Sequence, residues 1–215
     1  KRMCKECSDK CHEYDERCPL CRTPAFTSDA EWVRRMQKHV DKGKAEAQAL
    51  LGNAYSEGTC GLKKSPKRAV ELYKLAAAQG HARAQNLLGK CFSDGGVKID
   101  HKAANKAAAL WYRRAAEQGL PEAQSNLGSV FYVGKGVPQS YDEAVRWFHL
   151  AAAHGHPEAL CNLGVCYAKG QGVPQDIDEA MRFLKRAAAK GYAEAAVRVE
   201  QLEAIFVSTR PGPPT

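Results

Sequence analysis

Four Leu-Gly pairs, Leu51-Gly52, Leu88-Gly89, Leu127-Gly128 and Leu163-Gly164, recur along the 215 residues at spacings of 37, 39 and 36. A period of this size marks a row of small supersecondary units, each too short to bury its own apolar face, rather than one closed core. Every pair belongs to a longer set: Ala47, Leu51, Gly52, Tyr55; Ala84, Leu88, Gly89, Phe92; Ala123, Leu127, Gly128, Phe131; and Ala159, Leu163, Gly164, Tyr167. Offsets of i, i+4, i+5 and i+8 place the four residues on one face of a helix. A mid-helix glycine costs about 1 kcal/mol relative to alanine, so its return in every unit calls for a closely packed neighbour.

Three residues beyond each aromatic stands another glycine, Gly58, Gly95, Gly134 and Gly170, suited to end a helix in the left-handed conformation. A second pattern follows in each unit: Ala69, Leu72, Tyr73, Ala76; Ala108, Trp111, Tyr112, Ala115; Ala144, Trp147, Phe148, Ala151; and Ala180, Phe183, Leu184, Ala187. Its i, i+3, i+4, i+7 spacing is that of an amphipathic helix, closed by Gly80, Gly119, Gly155 or Gly191. Ser65-Pro66 supplies a cap and a first-turn proline, and Ser28-Asp29-Ala30-Glu31 reads as a capping box. Trp111 and Trp147 are expected in the core, and the longer connections in units one and two are expected to be loops.

The fold expected is all-α, a right-handed α-solenoid of two-helix repeats with a small N-terminal zinc-binding segment. Its repeats would span residues 44–80, 81–119, 120–155 and 156–191. A helix over 28–43 would cap one end. At the other, Ala193, Ala196, Val199, Leu202 and Ile205 would face the last repeat from a capping helix over 192–206, followed by a disordered tail at 207–215.

The segment 1–27 has its own chemistry. Cys4-x-x-Cys7 and Cys18-x-x-Cys21 are separated by ten residues, and paired thiolates at this spacing suit tetrahedral zinc. Residues 8–17 contain no aliphatic side chain, so the segment needs such a staple to fold. Cys11 and His12 are further candidate ligands or else a surface thiol and a solvated imidazole. Cys91, Cys161 and Cys166 fall in helical patterns where cysteine acts as a small apolar residue, which fits a reducing compartment, cytoplasm or nucleus. Lys at position 1 leaves room for chain upstream.

The net charge of +8 is uneven: the excess falls in residues 44–119, whereas 120–155 carry a slight acidic balance. No basic element interleaved with aromatics appears, so nucleic acid is not the expected partner. No apolar run is long enough to span a membrane. Gly134-Lys135-Gly136 and Gly170-Gln171-Gly172 lack the strand and the Lys-Ser or Lys-Thr ending of a phosphate loop and are read as turns. His81 and His156 begin helices just after a glycine, His101, His149 and His154 lack thiol or carboxylate partners at ligand spacing, and no catalytic motif stands out. No catalytic residue is expected.

These repeats resemble the Sel-one-like repeat family, relatives of the tetratricopeptide repeats, most fully in residues 156–191 with Gly170-Gln171-Gly172-Val173-Pro174-Gln175-Asp176. The resemblance covers about 160 residues and implies an adaptor that assembles protein complexes. Cys18-Pro19-Leu20-Cys21-Arg22-Thr23-Pro24 looks like the end of a RING finger, and a RING followed by Sel-one-like repeats is similar to proteins of diatoms and other algae. That likeness implies a ubiquitin ligase as the alternative function. Cys4 and Cys7 would then be a third ligand pair and Cys18 and Cys21 a fourth, with two pairs upstream. Pro19 and Leu20 would face a ubiquitin-conjugating enzyme, and Arg22 would sit where many RINGs hold ubiquitin.

Overall fold

A helix starts cleanly only where something accepts its first amide protons, and this chain supplies that acceptor repeatedly. The hydroxyls of Ser28 and Ser140 and the carboxylate of Asp176 accept from the amides of Glu31, Glu143 and Glu179 at 3.2, 3.2 and 2.9 Å. His81 and His156 do the same through Nδ1, toward Ala84 and Ala159 at 3.1 and 3.4 Å. Ser65 precedes a first-turn Pro66, but its hydroxyl makes no capping bond.

The computed structural model describes residues 28–97 and 99–209, with side chains through 204. The expected zinc segment and the residues after 209 lie outside this range. Among the described residues there are ten helices and no strand: α1 (Asp29–Asp41), α2 (Ala45–Glu57), α3 (Pro66–Ala78), α4 (Ala82–Ser93), α5 (His101–Glu117), α6 (Pro121–Val133), α7 (Tyr141–Ala153), α8 (Pro157–Lys169), α9 (Ile177–Ala189) and α10 (Ala193–Thr209). The chain divides into two compact units, the first ending at Ala104 and the second beginning at Asn105.

In the first unit α1 packs on α2, α2 on α3 and α3 on α4. Trp32 and Met36 of α1 join Leu51 and Ala54 of α2 in one buried cluster. Gly52 is where the expected neighbour arrives: a Cβ there would stand 2.6 Å from Cε1 of the Tyr73 ring. Tyr73 is buried and donates its hydroxyl to Asn53 Oδ1 at 2.7 Å.

In the second unit α6 packs on α7, α7 on α8, α8 on α9 and α9 on α10. Gly128 receives the Phe148 ring and Gly164 receives Leu184, each 2.6 Å from where a Cβ would lie. Phe148 and Leu184 are each 1% exposed, and burial of such a side chain stabilises by about 1.5–3 kcal/mol. The second helix is also tied to the first through its cap. Ser140 N–H donates to Phe131 O and Asp176 N–H to Tyr167 O, as Ser65 N–H does to Tyr55 O in the first unit.

All eight helix-ending glycines expected from the sequence have positive φ, between 66° at Gly170 and 84° at Gly80. Several expectations need correction. The extra residues of the second repeat do not enlarge a loop; they lengthen α5 to 17 residues against 13 in α7 and α9. Helices α3, α4, α7 and α9 are each capped one position before the expected glycine, by Gln79, Asp94, His154 and Lys190. Trp147 is buried, but Trp111 is only half-buried, its ring lying 4.8 Å under the Arg114 guanidinium. In α10 the fully buried residue is Ala195, with Arg198, Val199 and Leu202 half-buried beside it, whereas Ala193 and Ala196 are exposed. That helix continues to Thr209, through the start of the segment expected to be a disordered tail.

Candidate protein-interaction surface

The first helices of the second unit leave part of their surface to solvent, and a groove of about 320 Å³ runs along it. Ser129, Tyr132 and Val133 of α6 form one wall, and Asn162, Val165 and Lys169 of α8 the other. Phe148 of α7 and Arg198 of α10 complete the lining. The helical period explains the selection: 129, 132 and 133, like 162, 165 and 169, project at i, i+3 and i+4 or i+7, while Leu127 and Leu163 turn into the core.

Two side chains of the groove are held from behind. Tyr132 donates its hydroxyl to Gln171 Oε1 at 2.6 Å and packs edge-on against Tyr141 at 5.2 Å. Desolvation first, then neighbouring Cys166 and Tyr141, push its phenol above the usual tyrosine range, against the opposing pull of Arg198. Arg198 donates Nη2 to Glu194 Oε1 at 2.7 Å and interacts with the nearby Cys161 thiol, while its Nε is buried without a hydrogen bond among the described residues. The Arg198 bond holds the Glu194 carboxyl below its ordinary range.

Cys161 and Cys166 are buried in α8, as the apolar reading expected. Burial pushes the Cys166 thiol up to about 11 and raises Cys161 as well, so both are protonated at neutral pH and poor nucleophiles. Cys91 is half-buried and also raised, by desolvation and then by Asp94. Among the described residues His81 and His156 serve in caps and His149 in packing: His81 Nε2 also meets Glu46 Oε2 at 2.8 Å, and His149 contacts the stacked rings of Tyr167 and Phe183 edge-on. Among the described residues no group of three or more His, Cys, Asp or Glu is placed to hold a metal, and no helix is long and apolar enough to cross a membrane. The candidate ligands Cys4, Cys7, Cys11, His12, Cys18 and Cys21, and the candidate contact residues Pro19, Leu20 and Arg22, all lie outside the described residues.

The glycine loops have a structural use. A Cβ at Gly172 would lie 2.4 Å from the Tyr141 carbonyl oxygen, and one at Gly136 would lie 2.4 Å from that of Asn105. Each loop thus seats directly on the start of a preceding repeat's second helix, an approach only glycine permits. Buried glutamines add a tie that sequence reasoning missed. Gln85 Nε2 donates to Ala77 O at 3.2 Å and Gln124 Nε2 to Ala116 O at 3.3 Å, each reaching the end of the preceding helix. Their recurrence after the repeat alanine, in Ala47-Gln48, Ala84-Gln85 and Ala123-Gln124, was the available signal.

In the first unit a second groove, of about 590 Å³, lies between α1 and the turn after α2, lined by Ala30, Val33, Arg34, Cys60 and Leu62 among others. Cys60 there has a positive φ of 53°.

Residues 45–81, 82–120, 121–156 and 157–192 each match the Sel1 repeat family. The chain belongs to the Sel1 repeat family. Sel1 repeat proteins are generally protein-interaction scaffolds. A protective antigen present in uropathogenic Escherichia coli strains, described as displaying an SLR fold, is 34% identical over 75% of this chain, with a TM-score of 0.69. A Sel1 repeat protein from Oxalobacter formigenes is likewise 34% identical, over 73% of this chain, with a TM-score of 0.66. The chain covers 34% and 61% of the lengths of these two proteins. A comparison with curated protein sequences finds no match.

Proposed function

We propose that this Sel1 repeat chain is a scaffold that binds a protein partner, with an N-terminal zinc-binding finger beside its repeats. The observation that carries the reading is the groove of α6, α8 and α10. The same helices that bury Leu127 and Leu163 turn Ser129, Asn162 and Lys169 outward, so one rigid element both builds the repeat and presents contact groups. Sites on rigid helices are well suited to such recognition because little order has to be gained on binding. The test is reconstitution: a partner captured by crosslinking is purified and titrated against the purified chain by calorimetry. Saturable binding at a fixed stoichiometry is expected, and failure of every purified candidate to bind would sink the scaffold reading.

The donor chemistry of Cys4, Cys7, Cys18 and Cys21 suits zinc, with Cys11 and His12 as additional candidates. Zinc measured per mole after dialysis tests this, and a value near zero removes the metal. The likeness of Cys18 to Pro24 to the end of a RING supports a second reading, recruitment of a ubiquitin-conjugating enzyme through Pro19, Leu20 and Arg22. Chain formation by the wild type and its loss in Arg22→Ala is the outcome that reading requires. Cys91, Cys161 and Cys166, which form no disulfide among the described residues, support residence in a reducing compartment, cytoplasm or nucleus.

A further inference from the structure

We propose that the groove of α6, α8 and α10 is the docking site for an extended acidic segment of the partner protein, one in which carboxylate and apolar side chains alternate. This rests on the scaffold reading and gives the partner its chemistry.

Charge complementarity selects the carboxylates. The charged residues lining the groove, Lys169 and Arg198, are both cations. Lys169 is exposed, and the Arg198 side chain remains 38% exposed although Glu194 engages one of its nitrogens. A carboxylate drawn in beside Arg198 would meet the part of its guanidinium that remains exposed. Arg and Lys sharing one concave, partly desolvated surface favour an anion more strongly than the same charges on an open face.

The apolar side chains follow from the rest of the lining. Val133 is 56% exposed at the rim and Val165 is half-buried, so small apolar groups set between the carboxylates would cover surface now facing water. The Asn162 side chain makes no hydrogen bond among the described residues and lines the same groove. Its carboxamide offers both a donor and an acceptor, which matches the C=O and N–H of an extended peptide.

A nucleic acid fits less well. Single strands bind by stacking bases on aromatic faces, and the Tyr132 ring is already packed against Tyr141 with its hydroxyl bonded to Gln171. The basic excess of the chain also lies in residues 44–119, none of which lines this groove.

The test uses the full-length chain labelled with nitrogen-15 and three probes. The first is a pool of short peptides alternating Asp or Glu with Val, Leu or Phe. The second replaces each acid with Lys or Arg, and the third is a short oligothymidylate. The acidic pool should shift the amides of residues 129–133, 162–169 and 195–198. Against the tightest peptide of that pool, Lys169→Glu should weaken binding at least about tenfold, equivalent to about 1.4 kcal/mol. Asn162→Ala should weaken it less, and thermal unfolding of both variants would confirm that they remain folded. Equal shifts from the basic pool, full affinity in Lys169→Glu, or oligothymidylate acting as strongly as the acidic pool would each overturn the proposal. Acidic peptides that shift residues elsewhere would remove this groove and leave the scaffold reading standing. Shifts from none of the probes would likewise overturn the groove assignment, while the reconstitution experiment separately decides the scaffold.

Discussion

Replacing Gly164 by alanine sets two effects against each other. Helix propensity gains about 1 kcal/mol, while the new Cβ meets Leu184 Cγ at 2.6 Å and the Ala180 carbonyl oxygen at 3.1 Å. Overpacking in a dense core costs about 1–3 kcal/mol, and Leu184 is 1% exposed with little room to retreat. Gly164→Ala should therefore lose about 1–2 kcal/mol in urea unfolding, with much of the loss recovered in a double-mutant cycle with Leu184→Ala. Stability at or above wild type would contradict this packing role. Gln124 predicts the opposite sense. Its Oε1 is buried without a hydrogen-bond partner among the described residues, Ala116 O also receives the Gly119 amide at 2.9 Å, and the fourth repeat places the fully buried Leu160 at the same position. Gln124→Leu should be neutral or stabilising by up to about 1 kcal/mol, since an unpaired buried acceptor costs about 1–3 kcal/mol. Cys161 and Cys166 should resist iodoacetamide in the folded chain and react on unfolding, because burial keeps both thiols protonated at neutral pH.

Elements join through their ends as much as through their faces. Gly172 and Gly191 both hold positive φ, at 73° and 81°, but a Cβ at Gly172 would strike the Tyr141 carbonyl whereas one at Gly191 meets nothing within 4 Å. Alanine at Gly191 should cost only the left-handed backbone penalty, about 1–2 kcal/mol, and alanine at Gly172 clearly more. Equal losses in chemical unfolding would mean that the loop does not rest on α7. These glycines also mark how far the helices were readable from the chain. Periodicity and helix-ending residues located every pair, because both are written in consecutive residues. The phase of α10 was not readable, since Ala193, Ala195 and Ala196 are equally apolar and only the face that meets the neighbouring helices chooses Ala195. The lengthening of α5 was equally hidden, because His101 to Ala107 suit a helix as well as a loop. The caps Ser140 and Asp176 carried a readable signal, an acidic residue three positions on, that the repeat pattern overshadowed.

At the scale of the whole molecule the surface is what repetition leaves free. Positions 51, 88, 127 and 163 hold leucine in every repeat, but the groove is built from positions that differ between repeats, such as Ser129 against Val165. A residue that varies along a periodic pattern draws no attention in sequence, and Ser129 and Arg198 stand far apart in the chain, so the groove became visible only once α6, α8 and α10 were placed side by side. The same logic explains the arginines of the second helices: Arg114, Arg146 and Arg186 lie over Trp111, Trp147 and Phe183, covering ring faces rather than forming a phosphate-binding track. The claim that the first-helix face recognises a protein is tested most directly by hydrogen exchange on the full chain with and without its reconstituted partner. The expected result is slowed exchange in 126–133, 162–169 and 194–202, with α7 and α9 unchanged. Protection confined to α7 and α9, or no change in any of the ten helices on saturation, would contradict it.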